Sequence, residues 1–578
     1  MSASPRSAPK RLGPVQLEIL HAALTAVAEE MSVAVRRTSR STTVREMLDY
    51  STAIFDARGR NIAQSTSSPM ALTLAPCLVQ VLDEHLPAEA WHDGDVVILN
   101  DPYCGSQHLP DIVTFRPVFV EGERIAFTGA MAHHVDVGGS SPGSYNMTAR
   151  EIFAEGLRIP PLKIRRNGTL AADLLAMILC NVRQPEILQG DLMSQIASLD
   201  IGAKGITRLA AKYGAGSVAM AAEQMLEQAD AAMRKRIATL PRGRCSFEDC
   251  LDDDGVGDRP IRVAVDCDVD GETLSFDFSR SDAQVPVPIN CTHNVLVSAV
   301  NYAVIAALGD GIAVNSGSCA AVTVVAPLGR VVNASAPAPV VNRMTIAHRI
   351  VNVVMGALAQ VIPQRIPAAY YGVSYVCMLE SVLGDGTRRI YFDSEVGGWG
   401  AEPRRDGANA FSCGLHNIAA VPIEMLESAH PIRFTAYALR PDSGGAGCHR
   451  GGLGLIREWR LMAPEGRFAA TFDRFTHRPY GLAGGHPGAA GALLLTRADG
   501  TTTRLRSKLS DLALEAGDTI RIETSGGGGH GAPSGRDPAA IAADLTNGYM
   551  TLQQAIDTYD AGAGAHAAIA RRRDEWDE

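Results

Sequence analysis

No apolar run in these 578 residues approaches the ~20 that a membrane span requires, and the basic start MSASPRSAPKRLGPVQ leads into no hydrophobic stretch of the signal-peptide kind. The expectation is a soluble, cytoplasmic protein without a membrane partner. Eleven cysteines, an odd number, are scattered singly with no CxxC pair. That disfavours a disulfide framework or a cysteine-based zinc site and favours buried, reduced thiols. Basic residues form no dense run beyond Arg571-Arg572-Arg573, and the net charge is −10 at a pI of about 5.9, so nucleic-acid binding lacks electrostatic support. There is no GxxxxGK[ST]. The glycine-rich SGGGGHG (525–531) lacks the lysine and the strand-loop-helix setting of a phosphate-binding loop. It reads as a flexible connection or turn, with a backbone cradle for an anion as the alternative. No repeat of 20 to 50 residues is visible, which excludes a solenoid or propeller.

With 46% hydrophobic and 20% charged residues, the chain has material for more than one core, and two to four domains are expected. From Gly13 to about Arg37, Leu17, Leu20, Leu24, Val27, Met31 and Ala34 recur at steps of three and four behind Pro14, predicting one long amphipathic helix. LDYSTAIFDARGRNIAQ predicts a strand, a turn at Gly59 and a return strand. DVVILN (95–100) predicts another strand, and DIVTFRPVFVEGERIAFTGAMAHHVDVGG a long hairpin around Glu121-Gly122-Glu123. Residues 167–240 carry helical spacing. After 245 come short strands with Asp-Gly turns, interrupted by one helix-like interval, TIAHRIVNVVMGALAQVIP. The fold class is therefore α+β and multi-domain. It comprises an N-terminal mixed α/β metal-binding half (1–244), a β-rich half with an inserted helix (245–535) and a short helical tail (536–578).

The segment NDPYCGSQHLPDIVTF (100–115) sets His108 and Asp111 three apart where a loop enters a β-branched run. The plain reading is turn chemistry for the aspartate and a hydrogen-bonded structural histidine. The alternative is a metal site, since nitrogen and carboxylate donors suit a divalent transition metal. A three-residue loop at 121–123 makes facing residues of the hairpin sum to 244, placing Asp111 opposite His133 on one sheet face and His134 on the other. A slip of one residue reverses that assignment. His108 can curl back from its loop, and Asp49, at the head of an apolar strand, is a candidate fourth ligand. Asp136 is a ligand, a partner to a ligand or, first, the acceptor in a tight turn.

Several long blocks carry a family resemblance: GDVVILNDPYCGSQHLPDIVTFRPVF, AHHVDVGGSSPGS, EIFAEGLRIPPLKI, VPINCTHNVLVSAVNY, TIAHRIVNVVMGALAQVIP, EMLESAHPIRFTAYALRPDSGGAGCHRGGLG, YGLAGGHPGA and TSGGGGHGAPSGRDP. In order, from about residue 15 to 560, they resemble the hydantoinase B/oxoprolinase family, the B subunits of ATP-dependent N-methylhydantoinases and their relatives. The resemblance implies one divalent metal (zinc first, manganese or iron as alternatives) on Asp49, His108, Asp111 and His133, and thereby selects His133 over His134. It implies a larger A-type subunit that binds ATP and Mg, with two copies of each chain, and a small cyclic amide (hydantoin, lactam or oxoproline type) as substrate. The amide would be activated by phosphorylation in the partner and opened by metal-bound hydroxide. The alternative is a subunit of an ATP-dependent ketone carboxylase of the acetone or acetophenone type. A non-catalytic scaffold is a third reading, which four retained ligand candidates disfavour. His134, Asp136 and Glu155 are candidates for substrate contact or ligand support. Asn290, His348 and Glu424 are open between lining the site and structural hydrogen bonding. The sequence departs from the family pattern at Cys104-Gly105-Ser106, where Gly-Gly is usual, and in the weakly matching IDTYDAGAGAH near the end.

Overall fold

The computed structural model describes residues 11–65, 71–413, 415–416 and 418–559. The last part of the expected helical tail, from 560 and including Arg571-Arg572-Arg573, lies outside the described residues. The amphipathic stripe near the start folds as the helix Pro14–Thr38, with Leu17, Leu20, Leu24, Val27 and Met31 buried. It packs on a seven-stranded antiparallel sheet of β1 (Tyr50–Asp56), β2 (Asn61–Gln64), β3 (Val96–Leu99), β4 (Asp111–Val120), β5 (Glu123–His133), β6 (Leu162–Arg166) and β7 (Thr169–Leu170). The spatial order is β2-β1-β5-β4-β3-β6-β7.

Strand alternation divides this sheet between two cores. Ile54, Ile98 and Ile112 face the helices Pro14–Thr38, Pro185–Tyr213 and Ala215–Ile237, meeting Leu20, Leu192, Leu199 and Met225. Ala53, Phe55, Val113, Phe115 and Met131 point the other way, into a core shared with Leu296, Val300, Ile350 and Val353 from the second half of the chain. Both faces being covered explains why β1 is buried at every position instead of alternating. The core is continuous across residue 245, although a separate four-stranded sheet begins there at Gly243–Leu251. Two further sheets of four and five strands follow. The second half holds two long buried helices, His293–Leu308 and Arg343–Leu358, where only the later one was expected. The earlier is too uniformly apolar to show a polar face, and periodicity does not separate such a segment from a buried strand.

The register of the β4–β5 hairpin pairs Asp111 with His133, as the 244 sum predicts, by a different route. The connection is the two-residue turn Glu121-Gly122, both at positive φ (52° and 82°), a geometry that matches strand twist. That turn alone pairs Val120 with Glu123, one short of the predicted sum. A bulge between Val118 and Phe119 restores the lost residue before the strands reach the site.

SGGGGHG is neither a flexible turn nor an anion cradle. Residues 525–529 are buried and pass, in neither helix nor strand, through a cluster of glycine-rich segments. Gly527 N donates to Gly452 O (3.0 Å), Gly528 N to Ala369 O (2.8 Å) and Gly529 N to His486 O (2.9 Å). The carbonyls of Ser525, Gly527 and Gly528 accept from Gly398, Gly445 and Ala401. Glycine is required by proximity: a Cβ on Gly527 would lie 1.9 Å from Trp399 O, and one on Gly528 1.9 Å from Tyr480 O. Because backbone on several sides leaves no room to yield, Gly528→Ala is expected to cost at least ~3 kcal/mol in thermal or urea unfolding. The control Gly216→Ala, in a helix with nothing within 4 Å of the new Cβ, is expected to be neutral or to stabilise by up to ~1 kcal/mol. Equal stabilities for the two variants would contradict the packed glycine cluster.

Candidate metal centre

Three neighbouring chain segments set the donors in one row. Tyr50 and Ile112 both pair with Ala132, so Asp49, His133 and Asp111, one step further along each strand, lie side by side on the same sheet face. His133 N also donates to Asp49 O at 3.1 Å, which extends the ladder to this row. His108 arrives from the tight turn His108–Asp111, closed by Asp111 N donating to His108 O at 3.0 Å. The result is a triangle of donor atoms: His108 Nε2 to Asp111 Oδ1 is 2.9 Å, His133 Nδ1 to Asp111 Oδ1 is 3.1 Å, and His108 Nε2 to His133 Nδ1 is 3.2 Å. Asp49 Oδ2 stands 3.9 Å from His133 Nδ1. Its side chain is 14% exposed against 3% or less for the other three, so it marks the open edge.

Protonation decides what such a triangle wants. His108 Nδ1 lies 2.6 Å from Val341 O, which can only accept, so Nδ1 carries the hydrogen and Nε2 presents a lone pair. Burial, reinforced by the Arg343 guanidinium, pushes the His108 imidazole down to about 3, so the ring is neutral near pH 7. Asp111 would be pushed up by burial, but Arg343 and His108 hold it well below the usual carboxylate range. A neutral Nε2 lone pair therefore faces an ionised carboxylate oxygen at 2.9 Å. A proton on His133 Nδ1 satisfies that contact only in part, whereas a divalent cation satisfies all three donors. Tetrahedral coordination with bonds of ~2.0–2.1 Å sets donors ~3.3 Å apart, and the triangle is close to that spacing. The donor set therefore fits a divalent metal.

Arg343, the first residue of helix Arg343–Leu358, is the principal site residue that sequence reasoning missed. It is buried. Its Nη2 donates to Asp111 Oδ2 at 2.6 Å and to Gln107 Oε1 at 3.4 Å, and its Nη1 lies 3.2 Å from His108 Nδ1. Asp111 is thus divided, with Oδ2 held by the guanidinium and Oδ1 left for the triangle. The available signal was a charged residue opening a helix whose apolar residues fall on every side, so that the charge has no solvent face to occupy.

Glu155 supports the site one bond further out. Its Oε1 accepts from Val341 N at 2.8 Å while Val341 O accepts from His108, so the backbone of one residue links the carboxylate to the ligand. Tyr145 lies against both rings, 6.0 Å from His108 and 6.2 Å from His133, and Phe392 stacks on His133 at 5.1 Å. Tyr145 also lines a cavity of about 380 Å³ with Ser140, Asn146, Met378, Arg467 and Ser510.

The remaining candidates lie elsewhere. His134 points to the opposite face, where Nε2 bonds Gln195 Oε1 at 3.0 Å. Asp136 accepts from Gly138 N, Gly143 N and Arg183, so its carboxylate closes a turn. Asn290 bonds backbone at Val285, Val287 and Pro339, Glu424 is exposed, and His348 lies in a separate cluster.

An antiparallel sheet is sealed by the second half of the chain, with a buried His-Asp-His triangle at their junction whose donor atoms are spaced for a divalent cation. Residues 13–533 match the family model for hydantoinase B/oxoprolinase, and the chain belongs to that family. It is 31% identical to the B chain of a putative D-/L-hydantoinase from Pseudomonas sp. (strain NS671), over 95% of each chain. It superimposes on the crystal structure of ATP-dependent caprolactamase from Pseudomonas jessenii with a TM-score of 0.89 at 28% identity, covering 97% of this chain and 100% of the other. The nucleotide-free acetone carboxylase structure shares the fold, with a TM-score of 0.87 at 19% identity over 97% of this chain and 83% of that one.

Two outcomes are expected. His133→Ala should abolish retention of a divalent ion at this centre, measured by elemental analysis of the purified protein, while His134→Ala retains it. The reverse pattern would overturn the face assignment. Glu155, pushed up to about 8 by burial even though the N–H groups of Val341 and Val340 pull it down, binds a proton more tightly folded than unfolded. Its contribution to stability is present below its ordinary value of ~4.3 and is lost as pH rises through about 8. Metal-depleted Glu155→Gln should therefore gain stability over wild type between about pH 5 and about 8, by at most ~1.4 kcal/mol per pH unit. A pH-independent difference in melting would contradict this.

Proposed function

We propose that this chain is the metal-bearing subunit of an ATP-dependent cyclic amide hydrolase. The substrate is a hydantoin, lactam or oxoproline type ring, and an A-type partner holds ATP and Mg and activates the amide by phosphorylation. Two copies of each chain assemble, in the cytoplasm. The observation that carries the reading is the convergence of His108, Asp111 and His133 around one point. It is supported by likeness to a caprolactamase over nearly the whole of both chains. Likeness to the acetone carboxylase is one of fold, so the carboxylase reading stands second.

A divalent ion, zinc first, held by His108, His133, Asp111 and Asp49 would supply Lewis-acid polarisation and lower the pKa of a bound water toward ~7. The protein's own groups do the rest. His108, fixed as the Nδ1–H tautomer by Val341 O, keeps its Nε2 lone pair toward the centre. Arg343 holds Asp111 ionised and adds positive charge to a buried place, which favours a substrate carrying a phosphoryl group over its neutral parent. Tyr145, Phe392 and the enclosing second half exclude bulk water, against which an activated amide must be protected. Asp49, at the exposed edge, stands where a ring and its leaving nitrogen would enter.

The test is co-expression with an A-type partner, followed by assay of cyclic amides with and without ATP. Ring opening should require both chains and ATP and be lost in His133→Ala, with neither ATP turnover nor ring opening by this chain alone. ATP-dependent fixation of bicarbonate onto a ketone, without ring opening, would replace this reading by the carboxylase one.

A further inference from the structure

A second buried cluster of nitrogen and sulfur donors lies beyond the first, and the proposed reaction makes no use of it. His348, Cys413 and His416 are all buried, with one donor atom from each lying within 4.8 Å of the others. Cys413 and His416 occupy the ends of a tight turn, closed by His416 N donating to Cys413 O at 3.0 Å. A Cys-x-x-His turn of this kind delivers a thiol and an imidazole to one side of the chain. His348 comes from the facing helix, Arg343–Leu358.

We propose that His348, Cys413 and His416 form a second metal site, for a single zinc-type ion of borderline softness.

Spacing and satisfaction both point there. Cys413 Sγ lies 3.4 Å from His348 Nδ1 and 3.7 Å from Nε2. Tetrahedral zinc with bonds of ~2.3 Å to sulfur and ~2.05 Å to nitrogen sets those donors ~3.6 Å apart. The Tyr370 hydroxyl donates to His348 O at 3.3 Å, so its oxygen is free to accept from Nδ1–H at 3.1 Å, which leaves the lone pair on Nε2, 3.7 Å from Cys413 Sγ. Ser374 Oγ, 2.9 Å from Nε2, borders the position and can donate to that lone pair when no ion is bound. His416 gives the independent sign: it is 8% exposed, and its Nδ1 is buried without any hydrogen-bond partner. A buried imidazole nitrogen without a partner calls for an explanation, and here, unlike at His134 and His430, a thiol and a second imidazole stand within ligand distance to supply one. Burial pushes the Cys413 thiol up to about 12, which removes it as a free nucleophile near pH 7. On metal binding the Sγ–H proton passes to solvent as the sulfur–metal bond forms, so uptake at this site releases one proton from Cys413.

The ion would tie the 413–416 turn to the helix whose first residue, Arg343, holds Asp111. Its class of effect is bracing, and the soft thiolate gives it a preference that the all-nitrogen-and-oxygen first centre lacks.

Cobalt(II) is the probe. Full-length protein, metal-depleted and reloaded with cobalt, should take up two equivalents and show a thiolate-to-cobalt charge-transfer band in the near ultraviolet. Cys413→Ala should bind one equivalent and lose the band, and His416→Ala should weaken cobalt retention at this site at least tenfold. His133→Ala should bind one equivalent and keep the band, which separates failure of this inference from failure of the first centre. A wild-type spectrum without the band would overturn the proposal even if the variants fold poorly. Persistence of the band in Cys413→Ala, assigning it to another cysteine, would overturn it too.

Discussion

The ion pair between Asp111 and Arg343 is the contact on which the centre depends. It spans 232 residues of sequence and is buried at both ends, joining the last row of the N-terminal sheet to the first residue of a helix in the second half. Removing two charges from water is costly, and their attraction offsets that cost only where geometry is good and the other lone pairs are satisfied. Here Oδ2 is satisfied by the guanidinium at 2.6 Å, and Oδ1 is left facing two imidazoles. Losing Arg343 would leave Asp111 buried without its counter-charge and free to turn, so one side chain governs both the charge and the direction of the donor.

The rest of the site follows from enclosure. The second half supplies Val341 O to fix a tautomer, Phe392 to cover a ring and Arg343 to balance a carboxylate, so His108, His133 and Asp111 each rely on a contact from outside the sheet. The formal charge of the centre also differs from what the ligands alone suggest. In the proposed centre two ionised carboxylates and two imidazole ligands would neutralise a +2 ion, and Arg343 would then leave the assembly at +1, a balance suited to an anionic ligand. The packed glycine segments close backbone onto backbone in the same half of the chain.

What could be read from residues was what neighbours in sequence determine. Alternation along β4 and β5 placed Asp111 opposite His133 and turned His134 away, because a face assignment needs only period two and a turn. The turn itself was misjudged by one residue, and a bulge at Val118 and Phe119, which no composition announces, cancelled the error. Arg343 and the Cys413-x-x-His416 turn escaped because their partners are remote: Asp111 is 232 residues from the first, and His348 is 65 from Cys413. SGGGGHG was misread for a different reason. Glycine composition looks the same whether a backbone is free to move or so closely packed that nothing larger fits, and only the neighbouring carbonyls at about 2 Å from a built Cβ distinguish the two.

The most direct measurement is anomalous diffraction from crystals of the protein loaded with zinc or manganese, recorded on both sides of the metal's absorption edge. The account predicts a strong anomalous peak ~2.0–2.2 Å from His108 Nε2, His133 Nδ1 and Asp111 Oδ1, with Arg343 still on Asp111 Oδ2. A loaded crystal with no peak inside that triangle, and Asp111 Oδ1 bonded instead to protonated imidazoles, would contradict it.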